Sequence, residues 1–70
     1  MKFTTKADAR AKVGDTVRID GFAGEVYQSE LNLIGKTGVV QIVDDLGALH
    51  GTWGSLGLLP QDKYTVIKEA

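Results

Sequence analysis

The run Val39-Val40-Gln41-Ile42-Val43 is β-branched at four of its five positions, and it restricts the fold of this chain more than any other feature. Side chains branched at Cβ lose rotamer freedom in a helix and pack well on a pleated surface, so the run predicts a strand. Turn chemistry brackets it, with Gly35-Lys36-Thr37-Gly38 before and Asp44-Asp45-Leu46-Gly47 after. The chain then returns over residues 48–53, so residues 38–53 read as a hairpin. Gly54-Ser55 is expected to turn again, and residues 56–59 to form a further strand. Pro60-Gln61-Asp62-Lys63 reads as one turn of 3₁₀ helix, and residues 64–68 as a last strand with Tyr64 and Val66 on one face.

Upstream, residues 13–20 carry apolar side chains at Val13, Val17 and Ile19 with polar ones between, the alternation of a half-buried strand. Residues 21–34 lack a period. Gly21 and Gly24 bracket Phe22-Ala23, and the segment reads as a long loop or irregular hairpin. A connection of that length is uncommon in a compact domain unless it serves binding. Residues 4–12 predict a short helix, with Thr4 or Thr5 as N-cap, alanines at 7, 9 and 11, and Gly14 as the stop. Too short to stand alone, that helix is expected to cover the second face of the strand holding Leu59.

Five short strands, one long first connection, tight later turns and a 3₁₀ turn before the last strand follow the order of an SH3-like barrel. The expected fold class is all-β, a five-stranded SH3-like small barrel over residues 13–70 with a short N-terminal helix or arm over residues 1–12. Nine glycines suit it, because small barrels bend where strands pass from one ribbon to the other.

Seventy residues allow one domain, which buries only about 60% of the surface its unfolded chain exposes. There is no cysteine, so neither a disulfide nor a zinc thiolate site is available, and a single histidine, His50, argues against a metal site. No stretch approaches the roughly 20 apolar residues needed to span a bilayer. The basic start at Lys2 has no apolar run behind it, so no signal peptide and a cytoplasmic location are expected. Net charge is −1, unevenly spread. Lys2, Lys6, Arg10, Lys12 and Arg18 face only Asp8 and Asp15 within residues 1–18, while Lys36, Lys63 and Lys68 face seven carboxylates thereafter.

Several motifs invite a chemical reading beside a plainer one. Gly35-Lys36-Thr37 ends a phosphate-binding loop, but Glu30 stands where the first glycine belongs and a β-branched run follows in place of a helix. Asp44-Asp45 suggests Mg²⁺, yet no third ligand lies near and the pair is ordinary turn chemistry. His50 has no cysteine to activate, and Ser29 and Ser55 lack the context of a nucleophile. No catalytic set assembles, so the chain is expected to be non-enzymatic, without cofactor or metal. Trp53 reads as core or rim, and also as one wall of a groove shared with Phe22, Tyr27 and Leu33 from the long connection. Leu56-Gly57-Leu58-Leu59-Pro60 is apolar on both strand faces.

Gly35-Lys36-Thr37-Gly38-Val39-Val40, then Val43-Asp44-Asp45, Gly47, His50 and Trp53, then Ser55-Leu56-Gly57-Leu58-Leu59-Pro60, Asp62 and Tyr64, resemble a small family without assigned activity from bacterial, phage and plasmid genomes. Gly14-Asp15-Thr16-Val17-Arg18-Ile19 adds weaker support. The resemblance covers about half of the chain. It implies an SH3-like barrel and a mobile-element setting, and brings no catalytic residues. Two departures stand out: the turn after Trp53 is shorter than the family's Asp-Asn-Gly type, and Gly51 stands where a β-branched residue is expected.

Two functions fit these readings. The first is a protein-binding module using Phe22, Tyr27, Trp53 and Leu33, with inhibition of a host factor or defence nuclease as an extension from the mobile-element setting. The second is a nucleic-acid-binding barrel in which Lys2, Lys6, Arg10, Lys12 and Arg18 touch phosphates. Near-zero net charge favours the first. A monomer or a weak homodimer through an open strand edge is expected.

Overall fold

A computed structural model describes residues 9–25 and 27–70. Its five strands are β1 (Thr16–Gly21), β2 (Thr37–Val43), β3 (Leu49–Gly51), β4 (Gly54–Leu58) and β5 (Lys63–Lys68), with a four-residue helix, α1 (Gln28–Leu31), between β1 and β2. They form one sheet in the order β4-β3-β2-β1-β5, every neighbour antiparallel.

The β-branched run does what its composition predicts and serves two ribbons at once. The first half of β2 pairs with β1 (Thr16 opposite Val39, Arg18 opposite Thr37), and the second half pairs with β3 (Val40 opposite Gly51, Val43 opposite Leu49). A register shift between Val40 and Ile42 gives β2 the local bend that a bulge produces. β4 and β5 are the two edges, so the sheet is barrel-like without closing.

Every strand or its adjoining turn sends a side chain into one core of Val17, Ile19, Val40, Leu49, Trp53, Leu58 and Tyr64. Ile19, Leu49, Leu58, Val17 and Val40 are fully buried, each contributing about 1.5–3 kcal/mol of transfer free energy. Trp53 is the largest member, and two missing side chains make its seat. A β-carbon on Gly38 would stand 2.8 Å from Trp53 Cε3, and one on Gly51 would overlap Trp53 Cζ3 and the Val39 carbonyl. The Trp53 indole N–H donates to the Leu56 carbonyl at 2.7 Å, so the buried ring has its one polar atom satisfied.

Carboxylates tie the connections together. Asp15, buried, accepts from the Lys12 and Ala70 N–H groups at 3.0 and 2.9 Å. Asp62, also buried, accepts from Ala23 and Leu59 N–H at 3.0 and 2.9 Å, pinning the chain after β1 to the chain after β4. Asp44 shapes the β2–β3 turn. Its Oδ1 accepts from Leu46 and Ala48 N–H, while Gly47 adopts φ +82°, a conformation that glycine takes without strain.

Several expectations need correction. Residues 9–12 are not helical, and the rest of the span expected as a helix lies outside the described residues. Arg10 explains the irregular path: its N–H donates to the Tyr64 hydroxyl, and its guanidinium lies 4.1 Å above the Tyr64 ring and donates to the carbonyls of Pro60 and Asp62. Val13 is more than half exposed, because the chain turns at Gly14 (φ +96°) before β1 begins. The long connection contains α1, whose first turn closes through Glu30 accepting from the Tyr27 N–H. β2 begins at Thr37, so two residues assigned to a turn pair with β1. The β3–β4 turn sits at Thr52-Trp53 rather than Gly54-Ser55, because Trp53 folds its ring back onto Gly38 and Gly51. Residues 60–62 make a turn closed by one bond, Asp62 N–H to the Leu59 carbonyl, in place of the 3₁₀ turn.

Candidate partner-binding groove

A groove of ≈ 440 Å³ runs between α1 with its following turn and β4. Ser29, Glu30 and Leu33 form one bank; Trp53, Gly54, Ser55, Leu56 and Gly57 form the other. Its apolar floor comes from Leu33 and Leu56, both half-buried and packed against the core, and from the edge of buried Trp53. Ser29 and Ser55 are exposed on the banks. The volume falls within the roughly 300–1,000 Å³ of ligand sites, and polar surface makes up slightly more of the lining than apolar surface, so the groove is more polar than a small-molecule pocket.

Of the four residues marked for partner binding, the fold brings Trp53 and Leu33 together here. Phe22 and Tyr27 do not line the groove. Phe22 packs half-buried against the core, and Tyr27 stands 80% exposed at the start of α1. The long loop therefore meets Trp53 through an aliphatic side chain and a carboxylate, not through an aromatic. The sequence signal that was missed is the run Ser55-Leu56-Gly57, whose place on the bank follows once Trp53 turns the chain.

Among the described residues of the basic N-terminal strip, Arg10 and Arg18 are held by separate partners. Arg18 is paired with Asp20 at 2.7 Å, and Thr65 also bonds to both. That pairing raises the Arg18 pKa and, through Arg18 first and Thr65 second, lowers that of Asp20. Arg10 is clasped by Tyr64 and two carbonyls. Lys12 lines a separate cavity of ≈ 610 Å³ with Ala9, Ala11, Val13, Gln41, Ile42 and Val43, which is larger but holds none of the residues marked for partner binding. Lys2 and Lys6 lie outside the described residues.

His50 and Asp44 form a pair across the β2–β3 turn, Nε2 lying 2.8 Å from Oδ2. The His50 ring beside Asp44, followed by the Ala48 N–H, holds this carboxyl below its ordinary range. Both carboxylate oxygens are therefore spent on the hairpin, with Leu46 and Ala48 N–H on the other one. Asp45 is exposed, and among the described residues no group of three metal-ligating side chains comes together. Lys36 and Thr37 of the phosphate-loop-like string lead into β2, and the Lys36 carbonyl accepts from the Ile19 N–H. Among the described residues no helix is long and apolar enough to cross a membrane.

Comparison of the chain with protein-family models, with curated proteins and with solved structures returned no match. The family resemblance therefore rests on the residues quoted for it alone.

Proposed function

We propose that this chain is a non-enzymatic binding module on an SH3-like barrel, and that it holds a partner protein in the groove between α1 and β4. The strand order β4-β3-β2-β1-β5, with β2 divided between two ribbons, is the order such a barrel has. The observation that carries the function is the groove itself, where Leu33, Leu56 and Trp53 offer an apolar floor beside a sheet edge. A nucleic-acid reading has less support, because of the three described residues of the basic strip Arg10 and Arg18 are already engaged, and an electrostatic footprint needs several free cations. The resemblance adds a mobile-element setting, in which the partner is a host protein, a defence nuclease among the candidates, and the location is cytoplasmic.

The test is affinity capture with the tagged chain, with and without nuclease, beside the variant Ser55→Trp. Ser55 is exposed on the groove bank, so an indole there fills the groove without entering the core. A stoichiometric protein that survives nuclease and disappears with Ser55→Trp is the expected result. A partner retained by Ser55→Trp rejects the groove, and partners lost to nuclease transfer the function to nucleic acid.

A further inference from the structure

The two edge strands of this sheet are guarded very differently. β5 carries Lys63 and Lys68 at its ends, the charged residues with which proteins discourage edge pairing. β4, Gly54-Ser55-Leu56-Gly57-Leu58, has neither a charge nor a proline. It is also the edge that forms one bank of the groove, and only Leu58 and Gly54 stand in register with β3. An unguarded edge with a trough of mixed polar and apolar lining beside it is the surface to which an extended peptide adds as a further strand, its backbone on the edge and alternate side chains in the trough.

Charge decides what kind of segment fits. Among the described residues lining the groove, Glu30 alone is ionisable and none is a cation. One of its oxygens, Oε2, accepts from the Tyr27 N–H, which fixes the carboxylate at the bank. A second copy of the chain would bring another Glu30 and no cation of its own from the equivalent groove. A basic segment gains where a second copy loses.

We infer that the groove takes an extended segment of a partner protein, paired to the free edge of β4, with an aliphatic side chain over Leu33 and Leu56 and a lysine or arginine beside Glu30. This rests on the groove reading above and deepens it.

The experiment uses amide-labelled chain and four synthetic probes: an acetylated, amidated heptapeptide with valine, lysine and valine at positions 2, 4 and 6 and serine between them, so that all three side chains share one face; the same peptide with glutamate for lysine; and the lysine peptide N-methylated either at positions 2, 4 and 6 or at the serines. In an antiparallel pair alternate residues direct both backbone groups at the neighbour, so one N-methylated form loses binding and the other keeps it. The expected result is that the lysine peptide shifts the amides of residues 55–57 and the Trp53 indole N–H. It should bind about five-fold tighter than the glutamate peptide, a difference that Glu30→Gln removes, as befits a rim charge. Equal binding by both N-methylated forms overturns strand addition. Equal binding of lysine and glutamate peptides overturns the basic occupant. Concentration-dependent shifts at residues 55–57 without peptide assign the edge to a second copy. In each case partner capture that is lost with Ser55→Trp still upholds the groove; capture indifferent to Ser55→Trp removes both readings.

Discussion

At Gly51 the absence of a side chain is the functional property of the residue. A β-carbon there would overlap the six-membered ring of Trp53 and the Val39 carbonyl, and one at Gly38 would press on the same ring at 2.8 Å. Gly51→Ala is therefore expected to cost about 1–3 kcal/mol, the usual range for forcing extra volume into a packed site. Trp53→Leu removes the ring from that clash and leaves the Val39 carbonyl, so the double variant should recover part of the loss and be more stable than the sum of the single losses allows, by about 1 kcal/mol. Urea unfolding of the four proteins in the cycle checks it; additive losses would show that the Val39 carbonyl, not the Trp53 ring, excludes a side chain at Gly51. The sequence marks Trp53 as a large ring needing a place, and the ring is indeed buried. It does not mark the place. The seat consists of residues on β2 and β3 whose common property is having nothing beyond Cα, and such a signal appears only when the strands are laid side by side.

At the scale of elements, what was legible depended on whether local chemistry and tertiary contacts agreed. They agree in β2 and β5, where β-branched residues predominate, and in the β2–β3 turn, where Asp44 and Gly47 supply the bonds and the φ that a tight turn needs. They disagree at Thr52-Trp53, strand formers by composition that become a turn because the ring folds back to Gly38 and Gly51. They disagree again at residues 9–12, where helix-forming alanines flank an arginine that is worth more clasped to Tyr64. α1, four residues long and with no buried member, had no periodicity to read, and with it half of the groove was hidden. The Asp44 clasp has a pH signature. Its carboxyl is held below the ordinary range chiefly by His50, so the folded state favours the ionised form more than the unfolded chain does. That stabilisation is present above the unfolded pKa of about 3.9 and is lost as pH falls through the lower folded value. Asp44→Asn is expected to lower stability near neutrality and to flatten the decline below about pH 4. Thermal melts across that window measure it, and parallel curves for the two proteins would contradict the assignment. Asp15 and Asp20 are lowered as well, so some acid sensitivity remains in the variant.

For the molecule as a whole, one pairing depends on contacts of much longer sequence range than the others. β2, β3 and β4 follow one another with short turns, whereas β1 meets β5 across nearly the full chain. Asp15 and the N–H group it accepts from at Ala70 are 55 residues apart in sequence. Closing so long a loop costs chain entropy before any contact repays it, whereas the hairpins can close early. Assembly is thus expected to begin in the β2–β3–β4 meander and to finish when β5 docks on β1. Stopped-flow kinetics of Val66→Ala in β5 should show faster unfolding with a folding rate changed by less than about two-fold, the pattern of a residue absent from the nucleus. Leu49→Ala in β3 should slow folding instead. The edge that forms one bank of the groove belongs to the part that assembles first. On a ribosome or after partial unfolding, the chain would therefore display the β4 edge before β5 has sealed the core, and early engagement by the partner proposed for it could act as a template for the rest of the fold.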